Sequence, residues 1–325
     1  MMVWMDEIIR NVSDCSRIVL KIKVLGYKNQ GESIIFELVD SSDDAIIYIG
    51  CVDSYELSHE NKTLQYLNSL HNRKLDFFCW SHPDNDHSQG LLDIYRQACD
   101  GNTLICIPAT LDEKLNKKLD LSDANRKIYD EFDKHNNSYP GKLLGISTNK
   151  GDIIEEILIK DSVGHEVEFR LWGVAPNGGI IRNWRTSSND RVKNILSVCL
   201  VIQLGAYRFI LGGDVPNESI EFIYRPHLKD PVWLKLPHHG SDTGIYMADC
   251  ITYDSRNLYA CTTIFKPKNL PHDKVLDLYM NRGCSRIDST HTGNHSYGVV
   301  DYCFNLFDTR TLSITHSGNA CKIRP

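Results

Sequence analysis

The sequence predicts a mixed α/β fold (α+β in its ordering), two sheets packed on each other with helices outside. Two observations predict it. Short apolar, β-branched runs bounded by turn residues recur along the chain with helical stretches between them. The same order then repeats in the second half, as expected when two sheets share a core and helices cover their outer faces. A third observation limits the class. Apolar runs such as Ala45–Ile49 extend only a few residues, whereas a membrane-spanning helix needs roughly 20.

The elements follow in order. Val19–Val24 alternates apolar residues with lysine, Ile34–Val39 is apolar and β-branched, and Ala45–Ile49 follows the turn Ser41–Asp44. These read as strands of a meander. Residues 58–72 read as helix, Leu75–Trp80 as a buried strand, Leu91–Cys99 as helix and Thr103–Ile107 as strand. Residues 109–138 are charged and mostly helical and read as an insertion or lid, extending to residue 150, within one domain spanning 1–325. Strands return at Ile153–Ile159 and Glu166–Val174. Residues 176–194 read as a polar loop. Ile195–Leu204 and Tyr207–Leu211 form a strand pair, and Val232–Leu236 is a further strand. The last third holds a strand at Leu258–Phe265, a helix at His272–Arg282, and strands near Cys284–Asp288, Val299–Phe307 and Leu312–Thr315.

The 36 basic and 42 acidic side chains leave a net charge of −6, which excludes a protein that coats nucleic acid by bulk charge. An enzyme with a local nucleic-acid site stays open. The eleven cysteines include no C-x-x-C pair, and several sit inside apolar runs. They read as small buried hydrophobes in a reducing compartment. With no secretory signal at the N-terminus, the expected location is cytoplasmic.

The densest chemical signal is His82-Pro-Asp84-Asn-Asp86-His87, four potential metal ligands within six residues, directly after a buried strand. Imidazoles with carboxylates suit zinc, manganese or iron. A polar turn with a helix N-cap is the plainer reading. Three more apolar strands end in ligand-type residues: Phe209–Asp214 through Gly212-Gly213, Trp233–Ser241 through Pro237-His238-His239-Gly240, and Ile264–His272. Each has a plain alternative: Asp214 as a turn aspartate, His238 and His239 as a surface pair, His272 as a first-turn helix residue. Four such segments together favour one shared metal site.

These residues carry a family resemblance. Ser81-His-Pro-Asp-Asn-Asp-His-Ser-Gln-Gly-Leu91 resembles the first metal motif of the metallo-β-lactamase superfamily in its H-x-D-x-D-H form, as in the hydrolase domain of ComEC-type DNA-uptake proteins and their free-standing relatives. Asn194-Ile-Leu-Ser197 with the strand after it, Ile210–Asp214 (glycine for the usual threonine) and Leu234-Lys-Leu-Pro-His-His-Gly-Ser241 resemble its later motifs in order. Pro271-His272 resembles the late Gly-His-Pro motif only in its histidine. The resemblance spans about residues 17 to 315.

It implies a four-layer αββα sandwich holding two divalent metal ions, zinc or manganese, at the sheet edges. By position, His82 and Asp84 would hold one ion, completed by His238. Asp86, His87 and His272 would hold the other, and Asp214 would bridge. Asp86 would also orient the attacking hydroxide that two ions about 3.5–4 Å apart can share. His239 would stand behind the ligands or contact an oxyanion, with the choice between His238 and His239 open. Asp53 would buttress the metal loop or be a turn residue.

Relatives with this motif set act mainly on phosphodiesters, which implies a phosphodiesterase or nuclease acting on DNA or RNA. The run Arg182, Trp184, Arg185, Arg191, Lys193 reads as a backbone-and-base contact or as a solvated loop. Ser241 is a candidate phosphate contact, Lys235 is expected to point into a sheet face, and His291 and His295 line the cleft or lie on an exposed loop. The alternatives are a metallohydrolase of a small molecule (cyclic nucleotide, thioester or lactam) and a non-catalytic, metal-stabilised module docking a protein partner through 109–138. No membrane partner is expected.

Overall fold

Side-chain alternation decides the layering. In a strand, successive residues face opposite sides of the sheet, and here both sides are apolar. Ile34, Phe36 and Leu38 enter one buried cluster while Ile35 enters another; Phe77 and Cys79 face the first, Phe78 and Trp80 the second. In the second half Leu200, Ile202, Phe209 and Trp233 enter the same first cluster, while Val201, Ile210 and Leu234 enter a third. The first cluster therefore lies between two sheets and the other two lie on their outer faces. Helices cover both outer faces: Lys62–Ser69, Leu91–Ala98 and Asp123–Ser138 through Leu67, Ile94 and Phe132 on one side, Asn217–Ile220, Met247–Cys250 and Asp273–Asn281 through Ile220, Met247 and Leu276 on the other. The result is a four-layer αββα sandwich.

This computed structural model describes residues 8–27, 30–71, 73–108, 121–186, 193–252, 258–290, 296–307 and 311–325. Among them, one sheet contains, in spatial order, β16 (Thr311–Gly318), β15 (Tyr297–Asn305), β2 (Ile18–Tyr27), β3 (Glu32–Asp40), β4 (Ala45–Val52), β5 (Phe77–Cys79), β6 (Leu104–Pro108) and β7 (Leu143–Ile146). The other contains β1 (Ile8–Val12), β8 (Asp152–Asp161), β9 (Glu166–Ala175), β10 (Cys199–Leu204), β11 (Tyr207–Leu211), β12 (Pro231–Lys235), β13 (Leu258–Thr262), β14 (Cys284–Ser289) and β17 (Cys321–Arg324). The sheets do not divide the chain in two. β1 crosses to the second sheet to pair with β8, and β15 and β16 return to the first beside β2.

The topology places the site. β4 and β5 are parallel, as are β11, β12 and β13, so within each sheet the ligand-bearing loops leave from one edge. β3 runs antiparallel to β4 with Ile34 opposite Val52, so the start of β3 lies beside the end of β4.

Two expectations change. The polar loop at 176–194 contains a helix, Gly178–Thr186. Asn177 starts it by accepting from the Gly179 and Ile180 amides (2.9 and 3.3 Å), and Ile181 is buried against the outer cluster. The glycines and arginines had masked this Asn cap. Within 109–138, Asp123–Ser138 is one helix packed onto the sheet through Ile128 and Phe132, while residues 109–120 lie outside the described residues. Among the described residues no helix is long and apolar enough to cross a membrane. All eleven cysteines are free thiols, nine of them buried. Burial pushes Cys199 up to about 12 and Cys15 and Cys284 up to about 11, so they behave as packing groups.

Candidate metal centre

Three loops deliver the donors. The segment after β5 turns at His82 and enters a short helix at Asn85–Ser88, which puts Asp84, Asp86 and His87 beside His82. Trp80 and its neighbours hold this loop down. The Trp80 indole donates to Ser88 Oγ (2.9 Å), whose hydroxyl donates to the Asp84 carbonyl (2.6 Å), and the Asn125 amide donates to the Pro83 carbonyl (2.7 Å).

Asp214 follows β11. Gly213, at φ 52, lets the chain pass where a Cβ would sit 2.6 Å from the Val198 carbonyl oxygen and 2.7 Å from Ser197 Oγ. The same Ser197 Oγ accepts from the Asp214 amide (2.8 Å). After β12, His238 and His239 both take left-handed backbone angles, φ 47 and 54. Two adjacent non-glycine residues there are costly, about 1–2 kcal/mol each, and such strain collects at functional sites.

The side chains converge. His82 Nε2 lies 3.6 Å from Asp84 and 3.7 Å from Asp214. His87 Nε2 lies 3.6 Å from Asp86 and 3.5 Å from Asp214. His239 Nε2 lies 3.2 Å from Asp86 and 3.7 Å from Asp214. Donor atoms of Asp86, His87, Asp214 and His239 all fall within 4.8 Å of one another. Among the described residues, His82 Nε2, His87 Nε2 and Asp214 Oδ1 are buried without a hydrogen-bond partner, which is costly unless something else satisfies them. Most of these separations exceed a hydrogen bond. They approximate the spacing of about 3.3–3.6 Å between ligands at bond lengths near 2.0–2.2 Å around one ion. The donor set thus fits a divalent metal ion.

The opposite ends of the imidazoles are fixed. His87 Nδ1 lies 2.7 Å from Asp53 Oδ2, and a carboxylate can only accept, so Nδ1 carries a hydrogen and Nε2 is the nitrogen left to bind a metal ion. The Ser81 hydroxyl donates to the same Asp53 oxygen (2.5 Å), which leaves its oxygen to accept from His82 Nδ1 (3.0 Å). Asp53 itself adopts φ 58 and accepts from the Ser81 amide (2.7 Å).

The electrostatics follow from crowding acids and imidazoles in a dry site. Burial disfavours the Asp214 carboxylate, yet His239, His87 and His238 hold its pKa well below the usual range. Burial likewise disfavours charged His87, but Asp214, Asp86 and Asp53 raise it well above the ordinary value. Burial also opposes charge on Asp84, where His82 and Lys193 prevail and lower it. His238 differs: burial dominates, aided by His239 and Lys268 and opposed by Asp214, and brings it down to about 4. The cluster therefore calls for positive charge at the Nε2 atoms that face the acids, and His238 stays neutral.

Not every expected residue sits where the sequence placed it. His239, expected behind the ligands, is in the tight group; His238, expected as a ligand, lies at its margin, Nε2 3.7 Å from Asp214 and Nδ1 2.6 Å from Thr243 Oγ1. His272 caps the helix Asp273–Asn281 with its imidazole 3.0 Å from Asp242 and is not one of the clustered donors. Its amide donates to the Gly240 carbonyl (3.1 Å), which seats it on the outer side of that turn. Ser241 Oγ accepts from the Thr243 amide (3.3 Å). Arg182 is exposed on the helix Gly178–Thr186; Trp184 and Arg185 follow on it, with side chains outside the described residues. Arg191, His291 and His295 also lie outside them.

Sequence reasoning missed Glu32, Thr263 and the role of Lys235. Lys235 Nζ donates to Glu32 (2.7 Å), Thr263 donates to Glu32 (2.6 Å), and all three are buried beneath His239. The available signal was a lone lysine inside the apolar strand Val232–Leu236 and a lone glutamate opening β3.

No family model matches the chain, and no curated protein matches it. Solved structures similar to it include two of nearly full-length overlap. One is described as a new diphosphatase from the PhnP family, at 14% identity over 88% of this chain and 98% of that one, with a TM-score of 0.41. The other is the metallo-β-lactamase fold protein YhfI from Bacillus subtilis, at 14% identity over 87% and 99%, with a TM-score of 0.45.

Proposed function

We propose that this chain is a metal-dependent hydrolase of phosphodiesters, with DNA or RNA as the substrate class. The observation that carries the reading is the convergence of His87, His239, Asp86 and Asp214, with His82 and Asp84 beside them, and buried donor atoms there that no described residue satisfies. His82, His87, His239, Asp84, Asp86 and Asp214 would hold the metal, taken here as two divalent ions. Such ions supply Lewis acidity and an activated water at neutral pH. The chain's own residues do the rest. Asp53 and Ser81 keep His82 and His87 in the lone-pair-forward tautomer, Asp86 lies where it can both bind and orient, and His239 is held flat against Phe265 (centroids 5.2 Å, planes 20° apart).

A phosphodiester fits the surroundings better than a neutral ester. Lys193 Nζ stands 3.4 Å from Asp84 at the margin of the cluster, at the end of the basic run that begins at Arg182. A phosphate there would meet this ammonium, with Ser241 as a further contact. A second reading keeps the metal and takes a small phosphate-containing or acyl substrate, favoured by the net charge of −6. The buried free thiols agree with a cytoplasmic setting.

The test is hydrolysis of bis-p-nitrophenyl phosphate, single- and double-stranded DNA, RNA and cyclic nucleotides with zinc or manganese present. Wild type is expected to cleave the model diester and at least one nucleic acid, and Asp86→Ala to be inactive on all. Equal activity in Asp86→Ala would overturn the reading, and activity confined to cyclic nucleotides would select the second substrate class.

A further inference from the structure

We infer that Glu32, paired with Lys235 and acting through the Thr263 hydroxyl, is the positioning residue that turns His239, rather than the adjacent His238, into a ligand of the cluster. The inference rests on the metal-centre reading above and goes beyond it, because none of these three residues is one of the clustered donors Asp86, His87, Asp214 and His239.

Glu32 opens β3, is 1% exposed, and has three partners: Lys235 Nζ at 2.7 Å, Thr263 Oγ1 at 2.6 Å and His239 Nδ1 at 3.3 Å. A buried ion pair is not in itself a source of stability, since desolvation offsets its attraction. What this pair supplies is direction. Glu32 accepts only, so the Thr263 hydroxyl hydrogen points to it. The Thr263 oxygen then accepts from His239 Nδ1 (2.7 Å), and Nε2 is aimed at Asp86, to which it donates at 3.2 Å, and at Asp214, so a metal ion shared with those acids would take the Nε2 lone pair in place of that hydrogen. Lys235, wholly buried, also donates to the Leu236 carbonyl (3.3 Å), which fixes the ammonium that holds Glu32 in place.

The opposite sheet uses the same three-part relay: His82 to Ser81 to Asp53. Two sheets thus solve one problem identically, an imidazole anchored through a hydroxyl to a buried carboxylate. His238 has a different partner. Its Nδ1 meets Thr243 Oγ1, a hydroxyl in turn 3.1 Å from Ser241 Oγ, and the Asn194 amide lies 3.3 Å from its Nε2. The Asn194 amide can only donate, so the Nε2 lone pair of His238 is taken up by that contact, and no buried carboxylate stands behind its Nδ1 hydroxyl partner among the contacts described.

The experiment is zinc affinity of the purified full chain, by competition with a chromophoric chelator, with folding followed by thermal melting. Thr263→Val and Glu32→Gln are expected to weaken binding roughly 10–100-fold, and Thr263→Ser to restore it. Thr263→Val placed on His239→Ala should cost nothing more, whereas on His238→Ala it should cost its full effect, within about twofold. Should Glu32→Gln fail to fold, the Thr263 pair decides alone. Wild-type affinity in Thr263→Val, or an equal loss in both histidine backgrounds, overturns the inference while the metal centre stands. A wild-type chain that binds neither zinc nor manganese overturns both. A purely structural role would lower the melting temperature and leave the affinity of the folded chain, and its dependence on His239, unchanged.

Discussion

The two sides of the centre are built alike and encoded differently. On the β5 side, His82, Asp84, Asp86 and His87 come from six consecutive residues; of their support, Ser81 adjoins them and Asp53 follows the neighbouring strand β4. On the β12 side, His239 comes from a strained turn, and its support comes from Thr263 and from Glu32 at the far end of the chain. One side is a local motif; the other exists only once the two sheets have packed. Local supply makes a donor loop readable, and non-local supply leaves its orientation to the fold.

The comparison can be broken first at the group both sides share. Asp214 faces His82, His87, His238 and His239. Asp214→Ala is expected to lower kcat/KM on bis-p-nitrophenyl phosphate at least roughly 1,000-fold, about 4 kcal/mol of transition-state stabilisation, with loss of bound metal by elemental analysis. Retained metal and rate would remove Asp214 from the centre.

Next in size is Asp53→Asn. Asp53 anchors His87 directly and His82 through Ser81, so zinc affinity should fall toward the upper end of the roughly 10–100-fold range for such supports. It should fall further than in Thr263→Val, which serves one imidazole. Equal losses would mean that the two sides are not weighted as the geometry implies.

Gly213→Ala tests the backbone on the β11 loop. At φ 52, with a carbonyl oxygen 2.6 Å from the new Cβ, the variant should lose about 1–3 kcal/mol of stability, seen in a denaturant melt. An effect of similar size is expected from chelation. Removing metal from the wild type should lower its melting temperature, because a ligand at 100 times its Kd adds only about 2.7 kcal/mol, and zinc or manganese should restore it. An unchanged melt would argue that no metal stabilises the fold.

Much of this was legible beforehand. Apolar runs such as Ile34–Val39 and Phe77–Trp80 announced strands buried on both faces, and both faces are covered. His82 through His87 and Asp214 were found because a strand ending in ligand-type residues is a local pattern. The helix Gly178–Thr186 was misread as loop because Gly178-Gly179 weighed more than the Asn177 cap. His272 carried no local sign that Asp242 would be its partner.

By itself, then, the sequence determined the layered α/β class and most of the donor set, since strand alternation and strand-end ligands depend only on neighbouring residues. The tertiary structure alone placed His239 against both Asp86 and Asp214, while His238 reaches Asp214 only. That placement depends on a carboxylate and a hydroxyl 231 residues apart meeting under one imidazole. Such contacts are set by how the sheets pack and by the need to satisfy buried charge, and neither is written in any short stretch of chain.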